Sequence, residues 1–85
     1  MKPKDVGSPQ ERRNEKQDFG VYFGKHLRKV REAKNISQEK LSLDAGFYHT
    51  YVNKMEQGHY SPSLHTIWRL AHALGLTLAD FFKKF

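Results

Sequence analysis

Four side chains that can donate, accept or carry charge, His49, Thr50, Asn53 and Lys54, lie within six consecutive residues. On a helix their spacing gathers them on one face, while Phe47, Val52 and Met55 point inward. That is the pattern a helix needs to lie in the major groove of duplex DNA and meet base edges. Lys54 can donate to guanine O6 and N7 or neutralise a phosphate, and Asn53 can pair bidentately with adenine. Thr50 offers a methyl to thymine or a hydroxyl to phosphate. His49 can donate or accept, and its protonated form carries a charge that attracts phosphate. Alone, the stretch fits an ordinary helical hairpin with a solvated polar face equally well.

The elements that must position these groups follow from local signals. Ser37 is a natural N-cap for a preceding helix that carries Leu41 and Ala45 on one face. Gly46 can adopt a left-handed conformation and end that helix, which makes a helix–turn–helix with the stretch above. Upstream, Asp18 is the expected N-cap of a first core helix whose inward face is Phe19, Phe23, Leu27 and Val30. Gly20 and Gly24 weaken this helix near its start, and Asn35 ends it. Gly58 to Pro62 read as a loop. Ser63 caps a fourth helix with Leu64, Ile67, Ala71 and Leu74 inward and Trp68 and Leu70 beside that stripe; Gly75 ends it. Thr77, with Asp80 three residues on, caps a fifth helix bearing Leu78, Phe81, Phe82 and Phe85. The expected architecture is all-α, five short helices spanning residues 18–85. Residues 1–17 hold almost no large apolar side chain and read as a flexible polar arm. Ser8-Pro9-Gln10-Glu11 offers an alternative, a capping box with proline in first position that would start a helix near Pro9.

Composition narrows the function classes. The chain has 85 residues and no cysteine, so disulfides, thiolate metal sites and cysteine nucleophiles are excluded. No apolar run approaches the roughly 20 residues of a membrane span, and no apolar signal segment follows Met1. A cytoplasmic setting is expected. The net charge of +6 and pI near 9.7 point to an anionic partner. Five histidines raise the question of a metal site, but their spacing builds none, and His26, His59, His65 and His72 read as surface groups. No nucleophile arrangement or glycine-rich phosphate loop is visible, so neither catalytic residues, nor a metal or other cofactor, nor a small-molecule substrate is expected.

With the helices placed, the chain resembles the phage-repressor-type helix-turn-helix family, also called Cro-like or XRE. The resemblance rests on Phe23-Gly24-Lys25-His26-Leu27-Arg28-Lys29-Val30-Arg31, Ile36-Ser37-Gln38-Glu39-Lys40-Leu41 and Ala45-Gly46-Phe47. It continues through Tyr51-Val52, Met55-Glu56-Gln57-Gly58, Ser61-Pro62-Ser63-Leu64, Ile67 and Leu70 to Leu76, and closes at Leu78. The ordered set covers roughly residues 19–82. Within the family, the chain looks most like controller proteins of restriction–modification systems.

The resemblance implies a five-helix, lambda-repressor-like fold and a recognition helix from about His49 to Gln57. Gln38 matches a position that contacts phosphate and braces that helix, and Tyr51 matches one near the backbone or a thymine methyl. The loop around His59 and Ser61 is expected to meet phosphates. The implied DNA-binding set is Gln38, Tyr48, His49, Thr50, Tyr51, Asn53, Lys54, His59 and Ser61. Glu56 is expected in an internal ion pair with Arg28 or Arg31. Two positions depart from the pattern. Tyr48 stands where a small capping residue is usual, so the recognition helix needs its cap from elsewhere or lacks one. Ser42 stands where alanine is frequent and brings a hydroxyl.

Leu78, Phe81, Phe82 and Phe85 exceed what one short helix buries beneath itself, which suggests the interface of a two-fold homodimer. Such a dimer would present recognition helices about 34 Å apart to a palindromic operator. The competing reading is a protein-interaction module, such as an antitoxin or coactivator-like domain, that docks a partner through its aromatic C-terminus.

Overall fold

The computed structural model describes residues 9–83 and 85, with side chains from residue 14 onward. Five helices follow one another: α1 Pro9–Ala33, α2 Gln38–Asp44, α3 Tyr51–Glu56, α4 Leu64–Ala73 and α5 Leu78–Phe81. The described residues contain no strand. The expected all-α class therefore holds.

Local chemistry explains most boundaries. The hydroxyls of Ser37, Ser63 and Thr77 accept from the backbone N–H groups of Lys40, Thr66 and Asp80, as N-caps of α2, α4 and α5. Asn35 and Gly46 take left-handed conformations at the ends of α1 and α2, with φ of 57° and 83°. The start of α1 differs from the Asp18 expectation. The helix begins at Pro9, and Asp18 sits in its interior. Proline pre-sets φ at a first helical position, and no glycine or second proline interrupts residues 10–19. Residues 9–17 of the expected arm are thus helical, and residues 1–8 lie outside the described residues.

The core is built from every helix: Phe23, Leu27, Leu41, Val52, Met55, Leu70 and Phe81 are fully buried. Each such side chain contributes roughly 1.5–3 kcal/mol of apolar burial, a large share for a chain this short. Helix α3 lies between α1 and α2, while α4 packs on both α2 and α5. Leu64, expected inward, is exposed in the first turn of α4.

Gly20 and Gly24 have a role that helix propensity does not show. They face α3 and the loop beyond it. A Cβ on Gly24 would stand 2.5 Å from the Met55 carbonyl oxygen, and one on Gly20 would stand 2.7 Å from that of Tyr60. Four residues apart on one face, the two glycines let α1 seat against the backbone at the end of α3.

The C-terminal aromatics also depart from expectation. His26, expected at the surface, is only 7% exposed, and its Nε2 donates to the Phe81 carbonyl. The rings of Phe81 and Phe85 meet it edge-on, with centroids 5.0 and 5.1 Å away. Phe81, expected at a dimer interface, is fully buried against Phe23 and belongs to the core. Phe85 packs on Phe19 and Tyr22 of α1, and Leu78 and Phe82 are half-buried. Much of the apparent surplus of phenylalanine is absorbed by α1.

Candidate nucleic-acid interface

The polar residues of α2 and α3 form one continuous hydrogen-bonded ladder. At its inner end, Arg31 grips Glu56 with two bonds, Nε to Oε2 at 2.7 Å and Nη2 to Oε1 at 3.0 Å, and its Nη1 donates to the Ile36 carbonyl. Both side chains are almost wholly buried. The hydrogen bond from Arg31 to Glu56 raises the guanidinium above its ordinary value despite the opposing effect of burial, so it remains cationic. Glu56 is thus the internal ion-pair residue expected, with Arg31 as its partner; Arg28 pairs with Glu32 on the surface.

Outward, Gln38 Nε2 donates to Glu56 Oε1 at 2.9 Å, and Gln38 Oε1 accepts from Asn53 Nδ2 at 3.0 Å. Asn53 Oδ1 accepts from Gln57 Nε2, and His59 donates to Gln57 Oε1. Each carboxamide in this ladder keeps at least one N–H for another acceptor. The Gln38 and Asn53 pair is therefore oriented by contacts that lead into the fold.

The two departures at positions 42 and 48 answer each other. Thr50, directly before α3, makes no side-chain cap. The Tyr48 carbonyl accepts from the Tyr51 N–H. The Val52 N–H, next in the first turn, donates instead to the Ser42 hydroxyl at 3.0 Å. That hydroxyl donates in turn to the Gln38 carbonyl. Ser42 is fully buried, so the cap missing from the chain next to α3 is supplied across the interface by α2.

Aromatic rings fasten both ends of α3. Tyr51 stacks between Phe47 and Tyr60, with centroids 4.2 and 5.2 Å away. The Tyr48 and Tyr60 hydroxyls meet at 2.8 Å and close the entry of α3 onto its exit loop. This bond raises the Tyr48 phenol above its ordinary value. Arg69 lies 4.4 Å over the Phe47 ring and donates to the Gly46 carbonyl, which pins the turn.

His49 and Lys54 are exposed and Thr50 half-buried on this side of the molecule, and His49 Nδ1 lies 3.7 Å from Glu39. Tyr48 is 50% exposed, and Ser61 lies exposed in the loop after α3. Lys16 and Gln17 of α1 border a cleft of about 160 Å³ with Gly58 to Ser61. All nine expected contact residues thus lie on α2, α3 and their flanking loops. Tyr60, Gln57 and Arg69 escape sequence reasoning because their roles depend on partners 4 to 23 residues away. Among the described residues, no group of three metal-ligating side chains comes together. No described helix is long and apolar enough to cross a membrane.

A family model described as helix-turn-helix matches residues 27–81. The HTH-type transcriptional regulator PuuR of Escherichia coli is 31% identical over 67 residues, 79% of this chain and 36% of PuuR. The chain therefore spans little more than a third of that relative's length. Control protein C.BamHI of Bacillus amyloliquefaciens is 37% identical over 61 residues, 71% of this chain and 75% of the relative. Control protein C.MunI of a Mycoplasma species is 32% identical over 66 residues, 76% and 89% of the two chains. No solved structure matches at comparable stringency.

Proposed function

This chain belongs to the helix-turn-helix family, and on that premise we propose that it is a transcriptional regulator that reads duplex DNA with α3 in the major groove. The observation that carries the reading is the ladder from Arg31 to His59. It holds Gln38 and Asn53 in fixed orientation beside the exposed His49 and Lys54 and the half-buried Thr50. A pre-oriented polar face suits base readout because the ordering cost is met during folding. Lys54, Asn53, Thr50 and His49 supply discrimination. Gln38, Tyr48, Tyr51, His59 and Ser61 hold the phosphate backbone on either side. Two relatives named control proteins support the likeness to restriction–modification controllers. The role requires the compartment that holds the DNA, the cytoplasm on this reading.

We further propose a homodimer on a palindromic operator. Phe81 has no part in its interface. Leu78 of α5, Phe82 directly after it and Phe85 remain candidates, beside exposed Leu64 and Trp68 on the neighbouring α4. Selection of bound sequences from a random duplex library tests both proposals: an enriched inverted repeat is expected, and no enrichment refutes the reading. Lys54→Ala should weaken binding to the selected duplex. If Lys54 serves a phosphate, the variant also flattens the logarithmic salt slope by about 0.9. Unchanged affinity and preference count against its contact.

A further inference from the structure

The side of α1 turned away from α3 carries a groove that DNA recognition leaves unexplained. At about 100° per residue, Lys25, Lys29 and Ala33 lie roughly half a turn from Gly20, Gly24 and Arg31, the residues that face α3. Two depressions of about 370 and 330 Å³ share His26 and Lys29 as lining. Tyr22, Val30 and Phe85 line them with apolar surface, and Tyr22 is 67% exposed. Lys25, Lys29, Lys34 and Lys83 line the same groove, against one acidic residue, Asp80. None of these four lysines forms an ion pair among the described residues.

We propose that this groove docks an acidic amphipathic helix of a partner protein. An apolar floor between lysines is complementary to a helix with an apolar stripe flanked by carboxylates. From Val21 to Lys34 the groove follows about 20 Å of α1, the length of roughly 14 helical residues and long for a small ligand. A second copy of this chain is a poor occupant, because an isologous contact here sets the lysines of one protomer against those of the other. Facing away from α3, the groove stays open while α3 is on DNA, so the partner and the operator can be held together. That last point rests on the DNA reading proposed above; docking of the helix does not.

The test uses the full chain and a synthetic peptide of about 14 residues with leucines on one helical stripe and glutamates beside it. Backbone amide shifts are followed by NMR, with and without the selected duplex. Saturable shifts centred on Val21, Lys25, Lys29 and Ala33 are expected. A scrambled peptide of the same composition should bind at least tenfold more weakly. The double variant Lys25→Glu/Lys29→Glu should lose at least tenfold in peptide affinity, keep its duplex affinity within twofold, and recover binding to a peptide with lysines in place of glutamates. Equal binding of the scrambled peptide overturns the proposal, as do shifts centred on α3 or α4. So does concentration-dependent self-association through these residues, or failure of the charge swap to restore binding. A matching loss of duplex affinity assigns the groove to DNA and also overturns it.

Discussion

Ser42→Ala isolates the cross-helix cap. The variant deletes one buried oxygen, which lies 3.0 Å from the Val52 N–H, at a fully buried site. Leaving a buried amide without an acceptor costs about 1–3 kcal/mol. Removing a side-chain cap costs about 0.5–2 kcal/mol; both ranges describe the same lost bond and are not added. The Gln38 carbonyl loses the hydroxyl too, but it lies in the first turn of α2, within reach of that helix's own backbone ladder. Alanine returns a few tenths of a kcal/mol as the better helix former. The net expectation is a loss of about 1–1.5 kcal/mol, which lowers Tm by roughly 5–10 °C in a domain this size. Urea unfolding followed by far-ultraviolet circular dichroism measures the loss. Amide hydrogen exchange locates it, with the fall in protection greatest at Val52. A stability unchanged within about 0.3 kcal/mol refutes the argument, well below the cost of an orphaned amide. A loss that leaves Val52 protection intact refutes the capping mechanism even if the protein is weakened.

Glu56→Ala leaves the Arg31 guanidinium buried without its carboxylate, so a loss of about 3 kcal/mol is expected in chemical unfolding, with partial recovery in Glu56→Gln; equal stability of Glu56→Ala and wild type removes the pair from the fold's support. Gly24→Ala separates two effects of opposite sign: helix propensity alone predicts a gain of about 1 kcal/mol, while a Cβ 2.5 Å from the Met55 carbonyl predicts a net loss. A more stable Gly24→Ala refutes the close approach of α1 to α3. The Tyr48 phenol is raised by its bond to Tyr60, so the clasp is complete at neutral pH and is lost as pH rises through the Tyr48 titration, above the ordinary value of 10.0. Tyr60→Phe should return that titration toward the ordinary value, read by absorbance of the phenolate; an unmoved titration denies the hydroxyl pair.

Signals confined to a few neighbouring residues were legible in the chain. Ser37, Ser63 and Thr77 each cap through their own oxygen three residues ahead, and Asn35 and Gly46 end helices through their own φ. The start of α1 was less so. Asp18 is a competent cap, but a helix already begun at Pro9 gives it none of the free N–H groups that a cap requires. The glycines misled for a related reason. Propensity prices Gly20 and Gly24 within α1 alone, whereas their value lies in the backbone of residues 55–60 laid against them. His26 and the phenylalanines show the same limit over a longer span. An aromatic surplus in the last five residues marks unsatisfied apolar surface, but the chain does not say that α1 covers much of it some 55 residues away in sequence.

The candidate site divides along the same line. Helical period places Asn53 and Lys54 together on α3, whereas His49 and Thr50 lie in the turn before it, outside the helix expected from His49, and period does not say which side chains are free to move. Gln38 and Asn53, read as separate contact residues, are bonded to each other and through Glu56 to Arg31. Changing the preference of Asn53 therefore requires changing the orientation of both amides. His49, Thr50 and Lys54 are outside that ladder, and His49 and Lys54 are exposed. If the chain reads DNA as proposed, single substitutions at these three positions should alter base preference while stability is kept. Substitutions at Asn53, or at Gln38 that orients it, should alter preference and stability together, because the same bonds that aim Asn53 also tie α3 to the core.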